Sequence, residues 1–430
     1  MVRQARREGV EIAAFKDLAQ SLSKEAVRAQ RVPMTQVTIT ALGQRGEGIA
    51  EIGGQRVYVP FTLPGEDVEI AVEGERGTLL SVLSPSPERI DPSCRYFGTC
   101  GGCALQHLAP AAYSAFKRDL VANALSHAGI EVPVGELVDA HGIGRRRATL
   151  HTRAAGAGYM RARSHDLLDI EACPILVPAL QQSAPGLARA LHAAVGDSDV
   201  SFTATATGLD VVVSNARKLR PQKLVPMAQN LGLARLSLNG ELVLQSQAPS
   251  VRMGKALVEL PSGSFLQATE AAEEALASLV LAGLKGARNV ADLFCGIGPF
   301  ALRIAESTRV LAADSDKPAV SALQNAVRHT MGLKPVTTLS RDLFRDPLAP
   351  AELAPFDAVV FDPPRAGAEA QARELARAKV KTIVAVSCEP RTFARDAAIL
   401  LAGGYRLQSV TPVDQFAYST HVEVVGVFRR

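Results

Sequence analysis

From residue 36 the chain alternates apolar and polar positions in short runs: VTITAL at 37–42, GIAEI at 48–52, RVYVPF at 56–61, DVEIAV at 67–72 and TLLSVL at 78–83. A period of two reads as strand, and the intervening glycines, among them Gly46, Gly53, Gly54, Gly65 and Gly74, read as tight turns. Five short strands so closely spaced predict a small barrel of the oligonucleotide-binding type over residues 33–91. Pro85, Pro87 and Pro92 mark a linker, after which a cysteine-rich segment precedes a helical stretch from Pro110 to His127. Residues 147–260 read mainly as strands, so an α+β central domain is expected over 92–262.

Beyond Pro261–Gly263 the pattern changes. Thr269 to Leu284 has alanine-rich helical spacing, and from Asn289 strands and helices alternate. Strands are expected up to Phe294, over Val310–Ala313, Val336–Leu339, Ala358–Phe361 and Val380–Val386, near Leu407, and over Val422–Phe428. Helices are expected from Pro299, Pro318, Glu369 and Arg391. Such alternation predicts a mostly parallel, doubly wound sheet over 263–430, with ligands at the carboxyl ends of its strands. The fold class is therefore α/β, multidomain.

Composition adds limits. The chain has 430 residues, 47% of them hydrophobic, enough to bury several cores. Its net charge of +4 is concentrated in residues 1–31, where seven Lys or Arg face four Asp or Glu, so residues 1–32 read as a basic extension. Residues 33–91 hold nine acids against four arginines, which argues against a general phosphate-binding surface there. No apolar run is long enough to span a membrane and no secretory core opens the chain, so a cytoplasmic location is expected. In a reducing compartment the six cysteines are ligands, catalysts or core residues rather than disulfides.

Chemistry gathers at the strand ends. Asp292–Gly298 (DLFCGIG) runs from strand into a glycine turn, with Gly296 where backbone can approach a nucleotide. The motif lacks the third glycine of a dinucleotide fingerprint and the lysine of a P-loop. Asp314 ends the next strand, where a carboxylate can accept from ribose hydroxyls, and Asp342, after the third, could face an adenine amine. Asp362 opens a Pro-Pro loop at another strand end, and Cys388 stands where Lys381–Ser387 meets Glu389-Pro390. The helix beyond Cys388, or Arg391, is expected to lower its pKa toward the thiolate. Cys295 reads as core.

Cys94, Cys100 and Cys103 are spaced tightly enough to grip one metal centre, with Cys173, before Pro174, the candidate fourth ligand. Three clustered thiols and a remote one suit an iron-sulfur cluster better than zinc, and a ligand-free core group stays open. Arg145, Arg146, Arg147, Arg153, Arg161 and Arg163 fall within 19 residues without an intervening acid, a strip that can attract phosphate or stack on unpaired bases. Arg217, Lys218, Arg220 and Lys223 form a weaker second cluster.

The texts SFLQ (264–267), DLFCGIG (292–298), FDPPRAG (361–367), SCEP (387–390) and HVEVVGVF (421–428) resemble the class I S-adenosylmethionine methyltransferases. More closely, they are similar to the RNA uracil-5-methyltransferases that carry a TRAM domain, over about residues 35–430. The resemblance implies a Rossmann-like methyltransferase domain in which Gln267, Phe294, Asp314 and Asp362 line the cofactor site, Glu423 accepts a proton, and the four cysteines hold a structural [4Fe-4S] cluster. Pro299 and Thr269 stand where asparagine is common in such proteins. Because a uracil ring is a poor nucleophile at C5, addition of the Cys388 thiolate to C6 is the natural way to make C5 attack a methyl sulfonium.

The function implied is C5 methylation of a uridine in RNA, with 23S rRNA preferred over tRNA as substrate and a flipped base in a loop or bulge as target. A monomer without a membrane partner is expected. The alternative class is a non-catalytic RNA-binding assembly factor. Exocyclic amine methylation is disfavoured because Arg365 stands where its Pro-Pro loop carries an aromatic.

Overall fold

The computed structural model describes residues 34–217 and 219–430, so the basic extension 1–32 and Lys218 of the second basic cluster lie outside it. The chain separates into two compact units. One holds the residues up to Gly98 together with Cys103–Tyr113 and Tyr418–Thr420; the other holds Thr99–Gly102, Ser114–Ala417 and His421–Arg430.

In the first unit the expected five strands are six, because the run 37–42 breaks at Ile39–Thr40 and changes partners. Met34–Thr38 pairs antiparallel with Asp67–Glu73, whereas Ala41–Leu42 pairs with Gly48–Ile52. Gln55–Val59 and Arg76–Ser84 lie between, and the two halves of the broken run form the sheet's opposite ends, so the barrel stays open. The alternating pattern turns Ile39, Ala50, Val57, Val59, Val68 and Ile70 inward. Gly48 is required by packing: a Cβ there would come within 2.1 Å of the Thr62 hydroxyl. Buried Glu66 takes the Arg89 guanidinium at 2.5 and 2.8 Å and the Leu63 N–H at 2.8 Å. Those donors hold its carboxyl below the usual range against the opposing effect of burial.

The second unit contains two large sheets. The first has seven strands, in the order Leu167–Asp169, Gly156–Met160, Arg147–Arg153, Ser198–Thr205, Gly208–Ser214, Arg235–Leu238 and Glu241–Gln245. The amphipathic helix Ser183–Val195 packs along it, burying Ala188, Leu191 and Val195.

The second sheet has eight strands, which we number in chain order: β1 (Val138–Asp139), β2 (Asn289–Leu293), β3 (Arg309–Asp314), β4 (Val336–Ser340), β5 (Ala358–Phe361), β6 (Thr382–Ser387), β7 (Arg406–Asp414) and β8 (Glu423–Arg429). Their spatial order is β4-β3-β2-β5-β6-β8-β7-β1. The strands β2 to β6 pair in parallel, as the alternation with helices requires. β8 departs from that expectation. It runs antiparallel between β6 and β7, because the short segment 415–422 can only fold back, whereas the helix Pro390–Ala402 crosses over and leaves room for it.

Capping fixes the helices that flank this sheet. Thr269 Oγ1 accepts the Ala272 N–H at 3.0 Å to start Glu270–Gly283, and Asp316 starts Lys317–His329 through the Ala319 N–H at 3.1 Å. The six residues of β6 are all buried, so its carboxyl end delivers Cys388 from a rigid base.

Candidate active site

Three strand ends build one side of the site. β2 ends in Phe294, held at φ 60°, followed by Gly296 at φ 51° and Gly298 at φ 92°. The turn is kept tight by the Gly296 N–H, which donates to Asp314 Oδ2 at 2.8 Å, while Asp314 Oδ1 accepts the Asp316 N–H at 2.8 Å. Gly298 must be glycine, since a Cβ would meet Leu323 at 2.5 Å. Phe294 and the half-exposed Phe344 face each other with ring centroids 5.3 Å apart, and Asp342 accepts the Phe344 N–H at 3.0 Å. The expected residues Phe294, Gly296, Asp314 and Asp342 thus converge. Cys295 beside them is buried, as expected of a core residue.

Sequence reasoning passed over Asp292 beneath this turn. It is fully buried, with neither carboxylate oxygen in a hydrogen bond of normal geometry. Burial pushes its carboxyl well up, and the charges of Asp362 and Asp314 press the same way.

The other side is set by strand register. β6 and β8 pair antiparallel up to Ser387 opposite Val424, and Cys388 follows in the bend beyond β6, near enough to Glu423, the first residue of β8, to feel its charge. Phe361 lies beside Ala385 and Leu293, which brings Asp362 to the same edge, its N–H donating to Leu293 O at 3.3 Å. Glu423 is buried, and burial together with the Asp362 charge pushes its carboxyl above the usual range. Asp362 is raised too, by burial, with the Gln267 hydrogen bond opposing. Cys388 is half-buried, and burial, Glu423 and Asp362 push its thiol up to about 12. The expected lowering is therefore corrected. The cation that favours the thiolate is Arg365, not Arg391, and it does not outweigh the two acids.

A buried amide chain connects the two sides. Gln267 Nε2 donates to Asp362 Oδ2 at 3.2 Å, and Gln415 Nε2 donates to Gln267 Oε1 at 2.6 Å and to Glu423 Oε1 at 2.8 Å. Gln415 Oε1 accepts the Ala268 N–H at 2.6 Å. Gln415 was not singled out from the sequence. Nor was Lys117, which is fully buried, pairs with Asp414 at 2.8 Å, and donates to the carbonyls of Phe416 and His421. His141 Nε2 approaches the other Asp414 oxygen at 2.8 Å. These contacts fix the segment between β7 and β8, and His421 in it meets Arg365 Nη2 at 3.2 Å.

The arginine strip does not form one surface. Arg146 is buried, with Nη2 on Glu273 at 2.5 Å and Nε donating to Gln267 O at 3.1 Å, so it supports the cofactor side rather than facing a polyanion. Arg153 donates to Thr152 O and Ser198 O. Arg145 lies over the Phe416 ring at 6.0 Å, and Arg147 is half-buried beside it. Arg161 and Arg163 are exposed on the turn between Gly156–Met160 and Leu167–Asp169.

Of the expected metal ligands, Cys100 and Cys173 lie beside Tyr159, whose hydroxyl bonds to Cys173 and is pushed well up by burial and the two sulfurs. Cys94, in the other unit, donates its N–H to Gln106 Oε1 at 3.1 Å, and Cys103 is half-buried. Among the described residues no group of three or more His, Cys, Asp or Glu side chains is placed to hold a metal.

Comparison with known proteins gives this geometry a context. Residues 234–430 match the family model described as tRNA (Uracil-5-)-methyltransferase, and residues 35–76 match the TRAM domain of tRNA (uracil(54)-C(5))-methyltransferase. A protein of Brucella suis, described as an uncharacterized RNA methyltransferase, is 48% identical over 92% of this chain and 98% of its own. The 23S rRNA (uracil(1939)-C(5))-methyltransferase RlmD of Chromohalobacter salexigens is 33% identical over 95% of this chain and 94% of its own. The chain belongs to the RNA uracil-C5-methyltransferase family. The fold of this family member is also that of a solved structure, the Pyrococcus abyssi tRNA (uracil-54, C5)-methyltransferase in complex with S-adenosyl-L-homocysteine. The two share a TM-score of 0.73 and 23% identity over 92% of this chain and all of that one. A uracil-C5-methyltransferase with an N-terminal TRAM domain and a C-terminal α/β methyltransferase domain is therefore the frame for the site. No helix among its described residues is long and apolar enough to cross a membrane.

Proposed function

We propose that this protein methylates C5 of a specific uridine in 23S rRNA, with Cys388 as the nucleophile at C6 and Glu423 as the acceptor of the C5 proton. The observation that supports it most is the approach of these two side chains, one just past the carboxyl end of β6 and the other at the start of β8, at the edge where Asp362 and Gln267 also lie. Residues 33–91, 92–262 and 263–430 divide the work in this reading into TRAM, central and methyltransferase parts, in a cytoplasmic monomer.

S-adenosylmethionine, when bound, supplies an electrophilic methyl group. The residues fit it: Asp314 offers a carboxylate where ribose hydroxyls would lie, Phe294 and Phe344 offer faces to a purine, and Gln267, Gly296, Asp342 and Asp362 complete the lining. Arg365 favours the thiolate that adds to C6, and addition converts the neighbouring carbon into an enolate carbon able to take the methyl group. Glu423, raised by burial, is then poised as a base for the proton that must leave. Arg145, Arg147, Arg153, Arg161 and Arg163 are the proposed RNA contacts, on an unpaired segment from which the base is flipped. Arg146 is withdrawn from that set by its burial on Glu273.

RNA carrying 5-fluorouridine at the target has no C5 proton to lose, so the enzyme is expected to remain covalently attached to it on a denaturing gel. Mapping of 5-methyluridine in cells lacking the protein should show loss in 23S rRNA; loss in tRNA alone would transfer the substrate to the second reading, and neither loss nor adduct would leave the assembly-factor reading.

A [4Fe-4S] cluster on Cys94, Cys100, Cys103 and Cys173 is the finer part of the proposal, supported by the meeting of Cys100 and Cys173 at Tyr159 and by thiolate preference for iron-sulfur centres. Protein purified without oxygen should then contain iron and acid-labile sulfide in equal amounts, and Cys173→Ala should lose both. Zinc in their place, or no metal, removes the cluster from the reading.

A further inference from the structure

The polarity of the buried amide chain can be read without ambiguity. Carboxamide oxygen and nitrogen are ordinarily assigned from their partners, and here one partner is the Ala268 main-chain N–H, which can only donate. The Gln415 atom 2.6 Å from it is therefore the oxygen, and its nitrogen faces Gln267 Oε1 at 2.6 Å and Glu423 Oε1 at 2.8 Å. The same logic carries on to Gln267, whose oxygen accepts from Gln415 and whose nitrogen donates to Asp362 Oδ2. Gln415 uses both donors and its acceptor inside the protein.

One consequence concerns the two oxygens of Glu423. Oε1 is committed as an acceptor, whereas Oε2 is buried without any hydrogen-bond partner. A buried polar atom left alone is costly, and such an atom beside the nucleophile marks where a proton can arrive. We infer that Gln415 is a positioning residue for proton removal: by donating to Oε1 it holds the carboxylate in place and leaves Oε2, the oxygen without a partner, as the atom that takes the C5 proton. The inference rests on the reading of Cys388 and Glu423 given above. In that step the C5–H bond breaks and its electron pair forms the C5=C6 double bond. The C6–S bond breaks with its pair on the Cys388 sulfur, and the proton passes to Glu423 Oε2.

Gln415→Met keeps length and bulk but cannot donate. With ordinary uridine RNA and S-adenosylmethionine, the variant is expected to lose turnover about 10- to 100-fold, part of the roughly 10²–10⁴-fold a positioned base contributes, while a methylated protein–RNA adduct accumulates that the wild type shows only in trace. With 5-fluorouridine RNA the variant should still form its adduct fully, since addition and methyl transfer precede proton removal. A purely structural role would lower both adducts together. Turnover within two-fold of wild type, turnover lost without the methylated adduct, or loss of the fluorouridine adduct in the variant would each overturn the role of Gln415. Absence of the fluorouridine adduct in the wild type would instead overturn the underlying reading of Cys388.

Discussion

Cys388→Ala is expected to lower methyl transfer to RNA by on the order of 10⁴-fold or more, the scale seen when a covalent nucleophile is removed. The reason lies in the substrate: without sulfur on C6 the ring's electrons stay drawn toward its carbonyls and C5 does not attack. The loss should appear in single-turnover rate, with affinity for S-adenosylmethionine unchanged, because the cofactor side is built from β2, β3 and β5 rather than from the thiol. Titration calorimetry with the cofactor separates the two. A serine at 388 that turned over normally would end the covalent reading, and so would fluorouridine adducts formed by the alanine variant. The raised thiol also sets a direction with pH. Since burial and two acids disfavour the thiolate, the wild-type single-turnover rate should rise from neutral toward alkaline pH, as long as addition limits it.

Asp414→Ala should be the most damaging change to stability in the second unit, about 3–5 kcal/mol, because it strands a fully buried ammonium. Lys117 sits without solvent and is already pushed down by burial, with Asp414 opposing that shift through its charge and hydrogen bond. Removing the carboxylate also takes away the Asp414 partner of the Phe416 N–H and of His141 Nε2. The melting temperature should fall by several degrees, and the double variant Lys117→Met, Asp414→Leu should recover much of it, since an apolar pair of similar bulk carries no desolvation cost. Activity should not return in the double variant, because the carbonyls of Phe416 and His421 lose the ammonium that holds the segment leading to Glu423. A single variant that melts with the wild type, or a double variant no more stable than the single, would contradict the assignment.

The parts of this site legible in the sequence are those whose chemistry is local. The glycine turn after β2 and the acids at 314, 342 and 362 follow from strand, turn and helix read in order, and the fold brings them to one edge. Cys388 can be placed at a strand end, but its raised thiol cannot be read locally, because burial and the acids at the ends of β5 and β8 raise it. Gln415 and Lys117 carry no local signal: one is a lone amide in a loop, the other a lysine in a helix nearly 300 residues from its partner. The arginine strip was over-read for the converse reason. Spacing along 145–163 shows charge but not the buried Glu273 that takes one of those charges inward. Likewise the run 37–42 looks like one strand until its two halves find different neighbours.

The backbone ladder between β6 and β8 has a mechanical implication. Cys388 follows directly on the all-buried β6, and Glu423 opens β8, which is paired on both sides, so each group is one short step from the hydrogen-bonded sheet. In the proposed mechanism, pulling the two groups apart would mean breaking into that sheet. Whatever selects one nucleotide over another has to act on how far the pyrimidine swings in, leaving the RNA to do the travelling.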